Sequence, residues 1–243
     1  MAKIPEKPEE IYEEIISDYK NIFGDELLSM TIYGSAARGD YVKKRSDINL
    51  LVILSENGLN LLGDAFRTVK KWRKRAVSVP LFLTLEYIKS SLDTFPIEFF
   101  NIRQSYLVIF GEDILKDVSI GNEELRLQLE RELKGKLLHL RESYFEFGDN
   151  KKRLAELFSV SLGAFLSLFP VILHLKEVEL PQTREMFLNK TVEVLGLDEE
   201  LFKKLWDIKG GKYKFSEREG IGIWKNYVEQ VRKIAFEVDK LSI

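Results

Sequence analysis

Residues 32–54 read IYGSAARGDYVKKRSDINLLVIL, and this stretch decides the architecture of the first half of the chain. Leu27 to Tyr33 is a short β-prone run that ends in Gly34-Ser35, and Ile48 to Leu54 is a near-continuous aliphatic run of the kind that buried strands show. Between them lies a polar loop, RGDYVKKRS. Side chains alternate along a strand, so Asp47 and Asn49 share one face while Ile48, Leu50 and Val52 point to the other. A glycine at 34 lets the main chain approach a ligand closely, and the amides that follow it can point outward at an anion.

The ordered set of a strand delivering Gly34-Ser35, a Gly39-Asp40 pair, Ser46-Asp47 and an aliphatic strand resembles the signature of the polymerase-β nucleotidyltransferase superfamily, in its minimal or antibiotic nucleotidyltransferase form. The resemblance implies transfer of a nucleoside monophosphate from a nucleoside triphosphate to a hydroxyl, with Mg2+ held by carboxylates to neutralise the phosphates. It assigns Gly34 and Ser35 to the triphosphate, adds Arg38, Lys44 and Ser46 from the following loop, and makes Asp47 and Asn49 the catalytic and metal-binding positions. The family's clamp is an acid, a spacer and a second acid; here the second position is Asn49, one neutral carbonyl oxygen in place of a charged pair. The family's third carboxylate stands on a later strand. The candidate strand, VSVPLFLT at 77–84, contains no acid, and Glu86 and Glu98 are the nearest carboxylates beyond it.

Two readings follow from this depleted set. One is an active nucleotidyltransferase whose acceptor is a small molecule, RNA or a protein, held against the helical half of the chain. The other is a pseudoenzyme that keeps the fold and binds nucleotide or a partner without turnover. A basic run on the next helix (Arg67, Lys70, Lys71, Arg73, Lys74, Arg75) could attract phosphates, but without interleaved aromatics beyond Trp72 it reads as a solvated face.

Outward from the quoted stretch, Ile11, Ile15, Ile16 and Tyr19 recur at helical spacing over 8–22 and Gly24 supplies a stop. Residues 59–75 read as a helix, 76–84 as a strand that Pro80 makes either an edge strand or an irregular one, and 105–110 as a further strand. The segment 91–111 packs aromatics around Pro96 and reads as core at a joint. After about Gly121 strand signals give way to long apolar stripes: Leu125, Leu129, Leu133, Leu137, Leu140 and Tyr144, then Leu154, Leu157, Val160, Ser161, Ala164, Phe165 and Leu168. The fold class expected is therefore an α/β (α+β) domain with a small mixed sheet over 1–120, followed by an all-α helical bundle over 121–243.

Composition narrows the function classes. Lys and Arg number 37 against 39 Asp and Glu, for a formal net charge of -2, which argues against a protein that coats nucleic acid. Cysteine is absent, which removes disulfides, thiolate zinc sites and a cysteine nucleophile and fits a cytoplasmic setting. The opening MAKIPEKPEEIYEE lacks the apolar run of a signal peptide, and the stretch 162–175 is expected to be too short and too interrupted, by Pro170 and His174, to span a bilayer. No membrane partner is expected, and a homodimer is left open.

Overall fold

The computed structural model describes residues 3–147 and 150–241, and Met1 and Ala2 of the charged opening lie outside them. The chain divides into two compact units, Met1–Ile120 and Gly121–Ile243.

The first unit is built on a four-stranded sheet in the order β3-β2-β1-β4, with β1 Leu27–Tyr33, β2 Asn49–Leu54, β3 Leu81–Thr84 and β4 Tyr106–Gly111. β1 runs antiparallel to both β2 and β4, while β3 joins β2 in parallel, so the sheet is mixed. Pro80 immediately precedes β3, which is indeed an edge strand.

Both faces of the sheet are covered, which explains the unbroken aliphatic run of β2. Met30, Ile32, Leu50 and Val52 pack with Ile11, Ile15, Tyr19 and Phe23 of helix α1 (Tyr12–Phe23) and the turn before it, and with Trp72 of α3 (Phe66–Arg73). Leu51 and Ile53 face the other way, onto Ile88 of α4 (Leu85–Ser90) and onto Phe99 and Ile102 of α5 (Pro96–Gln104). Each such buried aliphatic or aromatic side chain contributes about 2 kcal/mol by leaving water. The face that Asn49 shares with Leu51 and Ile53 is thus core beyond the first residue of the strand.

Local chemistry trims several elements from their expected lengths. The region read as one helix over 59–75 is a short 3-10 turn, Asn57–Leu61, then a loop and α3. The strand read over 76–84 pairs only at Val77, through an isolated bridge to Ile48, before β3 proper begins at Leu81. Ala76 takes a left-handed φ of 61, and Pro80 has no N–H to give to a ladder.

The second unit is helical among its described residues: α6 Asn122–Phe147, α7 Lys151–Leu166, α8 Phe169–Leu175, α9 Arg184–Leu195, α10 Glu199–Lys209 and α11 Glu217–Asp239. The first expected stripe is buried from Leu125 to Leu140, and Tyr144 stacks on Trp224 with ring centroids 3.9 Å apart. The second stripe holds except at Val160, which is 67% exposed. Tyr227 of α11 is fully buried, with the rings of Phe158, Phe165 and Phe202 set edge-on around it. The helices start on side-chain caps: Asn150 accepts from the Lys152 and Arg153 amides, and Ser216 and Glu219 form a reciprocal capping box. Within Lys151–Leu175 an 18-residue window with a mean hydropathy of 1.9 is apolar enough, by length and composition, to cross a membrane, although α7 and α8 break between Leu166 and Phe169. In this structure 61% of that window is buried within the protein.

Candidate functional site

β1, β2 and β4 come level at one end of the sheet, where Tyr33 pairs with Asn49 on one side and Tyr106 on the other. The chain leaves β1 through Gly34, whose φ of 75 and ψ of -141 suit only glycine. Gly34 donates its amide to the Ser105 carbonyl at 2.9 Å, which ties the turn to the junction of α5 and β4. The one-turn helix α2 (Ser35–Arg38) follows and closes at Gly39 in the left-handed region. Among the described residues, the amides of Ser35 and Ala36 have no carbonyl partner.

The loop beyond α2 is shaped largely by its own hydrogen bonds. The Ser35 carbonyl accepts from Gly39 and Asp40, and Arg38 pairs with Asp40 at 3.2 Å, while Arg38 Nε and Asp40 Oδ1 are buried with no partner among the described residues. Val42 donates its amide to the Ser46 hydroxyl at 3.1 Å, which makes Ser46 a turn residue, and the Val42 carbonyl takes the Arg45 and Ser46 amides in return. Lys44 occupies the left-handed position of this turn with φ 65 and is exposed. Lys43 pairs with Glu6, whose carboxyl is held below its usual range by the Lys43 hydrogen bond and charge. Lys44 and Arg45 form no ion pair among the described residues.

Asp47 is exposed and, among the described residues, accepts no hydrogen bond and forms no ion pair. Its neighbourhood registers on Tyr41: burial raises that phenol, the Lys43 charge offsets part of the rise, and the Asp47 carboxylate adds to it.

Asn49 is committed differently. Ser78 donates its hydroxyl to Asn49 Oδ1 at 3.1 Å, and Asn49 Nδ2 lies over Gly34, 3.0 Å from where a Cβ there would stand. Strand register explains the partner. Leu51 pairs with Leu81, thirty positions on, whereas Ile48 pairs with Val77, twenty-nine on. One extra residue is therefore accommodated on the β3 side between Val77 and Leu81, and this leaves Ser78 beside Asn49. Ile48 is fixed there by its amide to the Ala76 carbonyl at 2.8 Å and by its carbonyl to the Ser78 amide at 3.0 Å. Sequence reasoning missed Ser78, although its place between Val77 and Val79 already set it on the face opposite to theirs.

Neither outlying carboxylate completes the set. Glu86 follows Thr84, which pairs with Leu54 at the far end of β2, five residues or about 16 Å from Asn49. There it lines a groove with Leu28, Leu54, Ser55 and Glu56. Glu98 is in the first turn of α5, whereas it is the last turn of α5 that leads to Ser105 and Gly34, six residues or about 9 Å further along the helix axis. Among the described residues no group of three His, Cys, Asp or Glu could hold a metal ion. The donor set is smaller than the family's three carboxylates: one free carboxylate at Asp47, an amide oxygen at Asn49 that already accepts from Ser78, and no third acid.

Half of the basic run on and just after α3 is engaged within the unit. Lys71 bridges Glu14 and Asp18, Arg75 pairs with Glu14 and lies over the Trp72 ring, and Lys70 lies over Phe66.

Comparison with solved structures gives the fold its class. The structure is similar to that of the spectinomycin adenyltransferase AAD(9) from Enterococcus faecialis, solved with ATP and spectinomycin, with a TM-score of 0.52. The likeness covers 90% of this chain and 99% of that one, at 14% sequence identity. This chain has a nucleotidyltransferase fold. At that identity the likeness fixes the architecture, a mixed-sheet α/β unit followed by a helical one, and transfers no residue roles. No family model matches the chain, and no curated protein matches it significantly.

Proposed function

We propose that this protein binds a nucleoside triphosphate at the Gly34–Ser35 turn of its first unit and does not transfer from it. The hydrogen bond from Ser78 to Asn49 Oδ1 carries this reading. It spends one of the two lone pairs of a neutral oxygen at the second ligand position, with a hydroxyl on the adjoining segment where a carboxylate would serve. What remains is a glycine turn with two unpaired amides, a pair of unpaired cations at Lys44 and Arg45, and one carboxylate at Asp47. The residues can bind and orient phosphates. They offer no pair of carboxylates to gather charge around a leaving pyrophosphate.

The test is a thermal-shift series with each ribonucleoside triphosphate, run alongside an assay of pyrophosphate release. A ligand at a hundred times its Kd adds about 2.7 kcal/mol of stability, enough for a measurable rise in Tm. The expected result is a shift with at least one triphosphate and no pyrophosphate above the protein-free control. Release that disappears in Asp47→Ala would overturn it.

A second reading, active transfer of a nucleoside monophosphate to a hydroxyl of a small molecule, is supported by two observations. The Asp47 carboxylate is free, and the fold likeness extends over both units to a protein solved with ATP and spectinomycin. The same assay separates the two readings.

A further inference from the structure

The inference that follows rests on the nucleotide-site reading and specifies its chemistry. At the second clamp position the side chain presents a donor where a metal ligand would present an acceptor. Asn49 Oδ1 is turned to the Ser78 hydroxyl at 3.1 Å, so Nδ2 faces the Gly34 turn. Apart from its own chain neighbours, only Asn49 Nδ2 stands within 4 Å of the point where a Gly34 Cβ would be, and Nδ2 donates to no described residue. A carboxylate here would repel phosphate oxygens and need a cation between them; an amide N–H donates to those oxygens directly.

The charges around the turn point the same way. Arg38 is paired with Asp40 and Lys43 with Glu6, while Lys44 and Arg45 have no ion-pair partner among the described residues. Against these two cations stands a single carboxylate, Asp47. A metal-free triphosphate therefore meets one negative charge at this turn.

We propose that the site binds the phosphates of a nucleotide without a divalent cation, with Asn49 Nδ2 donating directly to a phosphate oxygen over Gly34 and Ser78 holding the amide in that orientation. Ser78 is a positioning residue: it touches Asn49, not the nucleotide.

The experiment measures ATP affinity of the full chain by calorimetric titration in EDTA and again in magnesium, for wild type, Asn49→Asp, Asn49→Ala and Ser78→Ala. A melt without ligand confirms that each variant is folded. The wild-type Kd should differ by less than about threefold between the two conditions. Asn49→Asp should lose roughly tenfold or more in EDTA and recover in magnesium, since an attractive donor becomes a repelling carboxylate. Asn49→Ala should lose about tenfold in both, and Ser78→Ala should weaken EDTA binding by less than either, with Asn49 present but no longer held. Wild-type binding that requires magnesium, or an Asn49→Asp variant with unchanged affinity in EDTA, overturns the proposal and leaves nucleotide binding standing. Absence of ATP binding under both conditions overturns the nucleotide-site reading together with it.

Discussion

Asn49 and Ser78 stand side by side on neighbouring parallel segments, joined by a hydrogen bond from the Ser78 hydroxyl to Asn49 Oδ1 at 3.1 Å. Twenty-nine residues apart in sequence, they are brought together by the one-residue register shift between Val77 and Leu81. Asn49 stands two residues beyond Asp47 at the start of β2, and the pair supplies hydrogen bonds there instead of negative charge.

Restoring charge at both positions should restore metal binding. The double variant Asn49→Asp, Ser78→Glu would set carboxylates beside Asp47, in the oxygen-rich surroundings that Mg2+ requires. Its Tm should fall without metal, because like charges crowd one spot, and rise on adding magnesium, whereas wild type should respond little to the metal alone. A variant indifferent to magnesium would show that Asp47 does not face this pair.

Gly34→Val should abolish triphosphate binding and also destabilise the fold. At φ 75 and ψ -141 a side chain costs about 1–3 kcal/mol in backbone strain, and its Cβ would press on Asn49 Nδ2 at 3.0 Å. Gly39→Ala is the control: φ is 89 there, but nothing lies within 4 Å of the new methyl group. It should lower Tm by a backbone cost of about 1–2 kcal/mol and leave affinity nearly unchanged. Equal loss of binding in the two variants would remove the turn at Gly34 from the site.

The sheet was legible where residues speak locally. The strand read over 27–33 coincides with β1, and the aliphatic run of β2 announced burial on both faces. Helix α5 was not legible because it is apolar nearly all round, with Ile97, Phe99, Phe100 and Ile102 buried, and so shows no amphipathic period. At the site, Asn49 stands at the start of the expected strand, while Asp47, read as its neighbour on that strand, lies just before it. Ser78 was not legible, because its meeting with Asn49 depends on pairing between distant segments and on where the register shift falls. The absence of an acid in 77–84 could be read from the sequence, but which residue stands in its place required the fold.

Trp72 should be the most sensitive position in the first unit. It is completely buried and donates Nε1 to Asp18 Oδ2 at 2.9 Å. Trp72→Ala should cost about 3–5 kcal/mol and Trp72→Phe, which keeps most of the volume but loses the hydrogen bond to the carboxylate, about 1.5–3 kcal/mol by urea denaturation. Lys71→Met removes only the exposed partner of the same Asp18 and should cost less than about 1 kcal/mol. A Lys71 effect as large as that of Trp72 would mean that the surface ion pairs, not the buried ring, hold α1 to α3.

The helical unit offers a pH test at Asp198. This residue caps α10 by accepting the Leu201 amide at 3.0 Å and also accepts from Asn226 Nδ2 at 2.7 Å. The Leu201 hydrogen bond and then that of Asn226 hold its carboxyl below the ordinary value of 3.8, partly opposed by desolvation and helped by the Glu200 amide and the Lys204 charge. Because the folded-state value is the lower one, the charged form stabilises the fold fully above the unfolded value, and this contribution is lost as pH falls past 3.8 and through the folded value. Asp198→Ala should cost about 1 kcal/mol at neutral pH, as lost caps do. Asp198→Asn keeps a cap oxygen without the charge, so its deficit against wild type should be constant from neutral pH down to about pH 5 and shrink below about pH 4. A deficit that grows on acidification would contradict the direction of the shift and with it the role of the Leu201 and Asn226 hydrogen bonds.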